Sequence, residues 1–149
     1  MTQLPLPSLT LRQFSGAEQD LFILWQWRND VAVRKWQNLG IVSYDGFARS
    51  LKPFNVLIAE VNGTPIGYAQ LEPIGNYANT FVMIDKDHRG RGYGPQLAKL
   101  AAEWAVKRLM IAFVRVMPDN RVALNALKSV GFTHTDTQDG KLVMTYGRA

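Results

Sequence analysis

Arginine, glycine and aspartate crowd into one stretch, Asp85-Lys86-Asp87-His88-Arg89-Gly90-Arg91-Gly92-Tyr93-Gly94-Pro95-Gln96. Residues of these types at this spacing suit the binding of a phosphate. Gly90, Gly92 and Gly94 let the backbone turn tightly and bring several N–H groups close to a ligand. After Pro95 the apolar residues fall at Leu97, Leu100, Ala101, Trp104 and Ala105, the stripe of an amphipathic helix. The turn therefore opens a helix whose first turn has unpaired donors and the positive end of a dipole. Before it, Thr80-Phe81-Val82-Met83-Ile84 reads as a strand. Strand, glycine-rich turn and helix N-terminus together form an anion cradle, to which Arg89 and Arg91 add charge.

Three phosphate-binding motifs compete for this stretch. A P-loop needs Gly-Lys followed by Ser or Thr, and none follows Gly94. A dinucleotide fingerprint needs a third glycine where Pro95 stands, and an acidic residue further on where Val114 and its neighbours supply none. Arg89-x-x-Gly92-x-Gly94 resembles the pyrophosphate-binding motif of the GNAT superfamily, the N-acetyltransferases that use acetyl-coenzyme A. The bland alternative is a glycine-rich turn that merely joins strand to helix.

The elements that must position this turn follow from periodicity and turn chemistry. A strand is expected at Leu9 to Phe14, then a helix from Ala17 to about Trp27 and a helical segment at Val33 to Trp36. Ser43 is an N-cap for a short helix through Leu51, which Pro53 closes. Val56 to Val61 and Ile66 to Glu72 form a hairpin around Asn62-Gly63. Pro73 through Asn79 reads as a loop before the strand at 80–84. Met110 to Val116 is a strand, Arg121 to Val130 a helix stopped by Gly131. Phe132 to Thr135 and Leu142 to Tyr146 pair around Asp139-Gly140. The order βααβββαβαββ is a mixed α/β domain, one unit over residues 1–149, with a central sheet of about seven strands and flanking helices.

Composition narrows the chemistry. The 149 residues, 47% hydrophobic and 19% charged, are those of an ordinary globular domain. With no cysteine, disulfides, thiolate metal sites and a cysteine acyl-enzyme are excluded. Two histidines, His88 and His134, make a histidine metal site an unfavourable reading, and no metal is expected. The net charge of +5 and pI near 9.7 come from dispersed basic residues with no nucleic-acid motif, which suits a small anionic ligand better than nucleic acid. No signal peptide is visible and the longest apolar run, Leu109 to Val114, cannot span a bilayer. A cytoplasmic protein without membrane or nucleic-acid partners is expected, as monomer or homodimer.

The resemblance to GNAT enzymes extends from Leu9 to Tyr146. Asn120-x-x-Ala123, closed by Gly131-Phe132, resembles a second motif of the superfamily, which implies a helix beside the pantetheine arm and a hydrogen bond from Asn120. A simple helix cap is the alternative for Asn120. Leu24-Trp25-Gln26-Trp27-Arg28-Asn29-Asp30 through Val33-Arg34-Lys35-Trp36, then Ser43, resembles two groups. These are the ribosomal-protein N-terminal acetyltransferases and the acetyltransferases of nucleotide-linked 4-amino sugars. Arg28, Asn29 and Trp36 are the implied substrate contacts, while Trp25, Trp27 and Trp36 read equally well as core or cover. Gly63-x-Pro65-Ile66-Gly67-Tyr68-Ala69-Gln70 is similar to a segment of aminoglycoside 6'-N-acetyltransferases.

The resemblance implies that coenzyme A lies on Arg89, Gly90, Arg91, Gly92, Tyr93 and Gly94, with pantetheine along Val82, Met83 and Ile84. One backbone N–H near Met83 or Ile84 would face the thioester carbonyl. Without a cysteine, direct attack by an acceptor amine is the natural mechanism, and Glu72 is the first candidate base, an exposed carboxylate being the alternative. Many members carry a tyrosine seven residues after the asparagine; here that position is Leu127. Tyr77, Tyr146 or water would then protonate the thiolate. Arg115, a charge in an apolar strand, points either into the cleft or to water. The implied function is acetyl transfer to a primary amine, preferentially a small amino sugar, free or nucleotide-linked. A protein N-terminus, an aminoglycoside, and a non-catalytic coenzyme A sensor are the alternatives. Specificity is expected in the loops at 28–45 and 73–79.

Overall fold

Runs of β-branched and aromatic residues separated by short turns pair into one seven-stranded sheet with helices on both faces. The computed structural model describes residues 8–37, 40–52 and 55–147, except the side chains of Trp36 and Gln37. Pro53, expected to close a helix, and the Trp36 side chain lie outside the described residues. The elements run β1 (Thr10–Gln13), α1 (Glu18–Arg28), α2 (Val31–Gln37), α3 (Tyr44–Ser50), β2 (Val56–Val61), β3 (Thr64–Ile74) and β4 (Tyr77–Ile84). After a 3₁₀ turn at Lys86–His88 come α4 (Tyr93–Val106), β5 (Ile111–Val116), α5 (Arg121–Ser129), β6 (Phe132–Gln138) and β7 (Lys141–Tyr146). The N-terminal third thus holds one more helix than the expected order. Strands lie in the order β1-β2-β3-β4-β5-β7-β6.

Every neighbouring pair is antiparallel except β4 and β5. That parallel pair lasts only from Tyr77↔Ile111 to Asn79↔Phe113. Beyond it β4 stays with β3 as far as Ile84, and β5 stays with β7 as far as Val116, so the sheet parts between them.

The loop expected at 73–79 is instead the tip of a long hairpin, turning at Gly75-Asn76. Pro73 fits there because its ring nitrogen faces the side where β2 has already ended, at Val56↔Gln70. α4 begins at Tyr93, before Pro95, which a first helical turn tolerates because that N–H would be unpaired anyway. β6 runs on to Gln138, with a bulge between His134 and Asp136.

Each sheet face carries its own core. On one face α4 and α5 pack through Leu97, Ala98, Ala101, Ala102, Ala105, Leu124 and Leu127; the run of alanines brings the helix close to the strands. Leu100 and Trp104 sit only half-buried at the edge of that stripe, and the Arg108 guanidinium lies 3.7 Å over the Trp104 ring. On the other face α1, α2 and α3 bury Leu24, Val33 and Phe47 against Val56, Ile58, Tyr68 and Met83. Tyr68 is fully buried, stacked on Trp27 at 6.5 Å and tilted against Phe81 at 5.7 Å. Trp27 is therefore a cover for the core. Burial pushes the Tyr68 phenol above its ordinary value, with the nearby Arg28 charge opposing.

Arg12 ties the first strand to the fold. Its Nη1 and Nη2 donate to both oxygens of the buried Asp20 and its Nε donates to Glu60, each at 2.9 Å. Those two carboxylates hold the guanidinium more firmly protonated than usual. Arg12→Met would leave the Asp20 carboxylate buried without its donor, so it should cost about 2 kcal/mol of stability, read as a lower urea midpoint at unchanged slope.

Candidate functional site

The parting of β4 from β5 leaves backbone groups unpaired inside the sheet. The Asp85 N–H donates to the Ile66 carbonyl at 2.7 Å, which fixes the alternation of the β3–β4 ladder. By that alternation Met83 bonds β3 through Tyr68, while Val82 and Ile84 turn their N–H and C=O towards β5, out of its pairing range. Of the three residues expected to present backbone to a ligand, Val82 and Ile84 face the vacated edge and Met83 faces β3. The buried Met83 side chain instead faces the α1–α3 side.

The parting is filled by a cavity of about 380 Å³ on the α4–α5 side. Its walls are Val82 and Ile84 from β4, Val114 and Val116 from β5, Ala98 from α4, and Ala126 and Leu127 from α5. Its mouth is Arg89, Gly90, Gly92, Gly94 and Asn120. A second hollow of about 360 Å³ shares Val82, Ile84, Arg89, Gly94, Asn120 and Ala123 and opens on the opposite face, beside Ala32 and Val33 of α2. The cleft therefore reaches from one side of the sheet to the other.

At the mouth, Gly92 is the N-cap of α4 in the left-handed region, with φ 86°, and no side chain caps that helix. The first-turn N–H groups are left for a ligand. Arg89 does not reach out over them. Its Nε donates to the Ile84 carbonyl at 2.8 Å and its Nη2 to Asp30 Oδ1 at 3.3 Å, so it braces the end of β4 against the start of α2. The same Asp30 oxygen accepts from the N–H groups of Ala32 and Val33, at 3.0 and 3.4 Å, as a cap of α2. Arg91 stands exposed, and Tyr93 is buried in the core beneath the turn. Asp85 shapes the turn by pairing with His88 Nδ1 at 3.2 Å.

Asn120 does cap α5, its Oδ1 accepting from the Ala123 N–H at 3.3 Å. Both of its expected roles are compatible, since the cap uses the oxygen and leaves the Nδ2 hydrogens at the cavity. Leu127 is a buried wall of that cavity.

The other candidates divide. Glu72 and Arg28 come together in a hollow of about 200 Å³ with Gln70, Asn79 and Phe81, on the α1–α3 face. Glu72 pairs across the ladder with Asn79, the residue at which β4 and β5 part. Arg28 also donates to the Gly40 carbonyl at 3.0 Å. The Asn29 side chain bonds the backbone of Val42, accepting at 3.0 Å and donating at 2.8 Å, and Trp25 Nε1 donates to the same carbonyl at 2.8 Å. Asn29 thus fixes the loop before α3. Tyr77 packs edge-on against Phe113 at 6.2 Å in a separate hollow. Tyr146 packs on Phe132 at 5.2 Å, away from the cleft.

One residue was missed. A Cβ on Gly67 would collide with the Met83 carbonyl oxygen and with Ile84, so only glycine lets β3 approach β4 where the cleft edge is formed. A glycine inside a strand pattern was the available signal.

Comparison with known proteins agrees with this geometry. The sequence model of the Acetyltransferase (GNAT) family matches residues 19–132. An uncharacterised N-acetyltransferase of Methanocaldococcus jannaschii is 33% identical over 96 residues, which is 58% of this chain and 42% of that protein. The matched region thus spans less than half the length of that curated relative. Among solved structures, the aminoglycoside acetyltransferase AAC(6')-Ib in complex with paromomycin and acetyl-coenzyme A superposes with a TM-score of 0.79 at 21% identity, over 95% of this chain and 94% of that one. A ribosomal-protein-alanine N-acetyltransferase from Brucella melitensis superposes with a TM-score of 0.74 at 21% identity, over 91% and 98%.

Gly67→Ala should lower stability by about 1–3 kcal/mol, because the ladder must spread to admit a methyl group. The largest amide chemical-shift changes should fall at residues 82–84; changes confined to residues 66–68 would show that the contact does not shape the cleft.

Proposed function

The chain belongs to the acetyltransferase (GNAT) family, and from that premise we propose that it transfers acetyl from acetyl-coenzyme A directly to a primary amine. The preferred acceptor is a small amino sugar, free or nucleotide-linked. One observation carries the reading: the edge of β4 at Val82 and Ile84, left unpaired by β5, runs from an uncapped helix N-terminus to the point where Glu72 stands across from Asn79.

The residues present fit coenzyme A. The N–H groups at the start of α4 suit a pyrophosphate, and Gly92 allows it to approach the backbone. The N–H and C=O of Val82 and the N–H of Ile84, whose carbonyl is taken by Arg89, suit with Asn120 Nδ2 the amides of an extended pantetheine arm. The apolar walls formed by Val114, Ala98, Ala126 and Leu127 suit its methylenes and exclude water. When bound, acetyl-coenzyme A would supply the acyl group as a thioester.

The chain's own groups then have defined tasks. A Val82 or Ile84 N–H, fixed in place by the β3–β4 ladder, can donate to the carbonyl oxygen as negative charge develops on it. Such a preplaced donor is worth about 10²–10³ in rate. Glu72 can take the ammonium proton, directly or through water, because it lies on the open α1–α3 face from which an amine would enter. Leu127 cannot donate a proton to a departing thiolate. A thiol pKa of about 8.5 makes departure as thiolate with water as proton source tolerable near neutral pH.

The acceptor face is not acidic: one of its hollows is lined by Arg28 as well as Glu72, and another by Arg115 as well as Asp136. A polycation such as an aminoglycoside finds little charge complement there, which favours a neutral or anionic amine. A protein N-terminus is the second reading, supported by the openness of the hollow beside Ala32 and Val33.

The test is release of free thiol from acetyl-coenzyme A with nucleotide-linked 4-amino sugars, aminoglycosides, polyamines and short peptides with free N-termini. Thiol release is expected with an amino sugar; release only with peptides would move the acceptor to a protein N-terminus. Tight coenzyme A binding with no acetylation of any amine would make the chain a sensor. In Gly92→Asp, strain at positive φ and charge repulsion should weaken coenzyme A binding by roughly 100-fold or more, near 3 kcal/mol. Unchanged affinity in the folded variant would remove the turn from the site.

A further inference from the structure

Resting on the transfer reading above, we infer that the hollow around Arg115 holds an oxyanion of the acceptor, so that the substrate is an amine carrying a carboxylate or a phosphate. The argument begins with the alternation of β5. Ala112, Val114 and Val116 face the α4–α5 core, which puts Phe113 and Arg115 on the opposite face. That is the face of Glu72, since Phe113 aligns with Asn79 and Asn79 with Glu72.

Arg115 stands there in a hollow of about 420 Å³, with Tyr77, Phe113, Thr135, Gln138 and Thr145 among its walls. Its guanidinium lies 5.7 Å from the Phe113 ring centroid, and its Nη2 donates to Gln138 Oε1 at 3.2 Å. Its Nε is buried and has no acceptor. The exposed end of the guanidinium keeps N–H donors beyond the one given to Gln138, and a ligand oxygen in the hollow can accept from them. No carboxylate among the described residues lies within ion-pair distance of it. Asp136, on the exposed rim, is engaged with the Thr137 N–H at 2.8 Å and with Gln138 Nε2 at 3.0 Å. Thr135 and Thr145, bonded to each other at 2.7 Å, add hydroxyls to the same wall.

Position supplies the link to the reaction. β4 and β5 part at Asn79↔Phe113, and Arg115 is two residues further along β5, roughly 7 Å. An oxyanion on Arg115 and an amine at the parting are therefore about one sugar ring apart. A guanidinium fork suits both carboxylate and phosphate, so geometry at Arg115 defines the shared chemistry.

The test measures binding to the coenzyme A-saturated protein by titration calorimetry, using glucosamine, glucosamine 6-phosphate and muramic acid as probes. At least one anionic sugar should bind roughly tenfold tighter than glucosamine, and which one does so separates phosphate from carboxylate. Arg115→Gln should abolish that advantage while Arg115→Lys keeps part of it, with coenzyme A affinity of each variant as the control for folding. Absence of an anionic preference in the wild type, or a preference that survives Arg115→Gln, overturns the inference. Thiol release is measured separately. Its failure alongside an intact Arg115-dependent preference would sink the transfer reaction and leave the oxyanion site standing.

Discussion

The structure depends on a parallel strand pair that is allowed to fail. β4 and β5 share three residue pairs and then separate, each held by an antiparallel neighbour on its other side. Unpaired backbone groups inside a sheet are expensive, and a fold keeps them only where something else satisfies them. Here the vacated edge of β4 leads directly from the uncapped start of α4. Gly67 and Arg89 hold that edge from two sides. Gly67 lets β3 press close beneath Met83 and Ile84, and Arg89 takes the Ile84 carbonyl in a hydrogen bond.

The cleft meets two different environments because the sheet has two different cores. On the α4–α5 side, alanines, valines and Leu127 make a dry wall suited to holding an extended, largely apolar arm. On the other side, the hollows carry the polar side chains of Arg28, Glu72, Tyr77 and Arg115. A group held from the first side and approached from the second would exchange atoms only at the parting of the strands. Division of labour between the faces thus follows from the alternation of side chains along β4 and β5.

Much of this was legible in the sequence, for local reasons. Gly92 and the apolar stripe after it mark the start of α4 within a dozen residues. Ser43 and Asn120 read as caps because their bonds, to Gly46 and Ala123, close within three positions. What escaped depended on distant partners. The segment at 73–79 looked like a loop because Pro73 and Gly75 are turn residues. Nothing nearby in the sequence says that β2 ends before Pro73, or that Tyr77–Asn79 will find Ile111–Phe113. That the Arg89 side chain also braces β4 depends on Asp30, 59 positions away. The bond of Asn29 to Val42, thirteen positions on, has no local signal either.

That brace has a thermodynamic consequence. Arg89 joins the last carbonyl of β4, on the edge of the cleft, to the oxygen that caps α2, which borders the hollow on the opposite face. A ligand that moves either end works against the same two hydrogen bonds. Linkage requires that coupling to be reciprocal: by whatever factor occupancy at the α4 turn changes affinity beside α2, occupancy beside α2 changes affinity at the turn. Any such coupling, the same whichever ligand arrives first, then passes through one arginine and one aspartate.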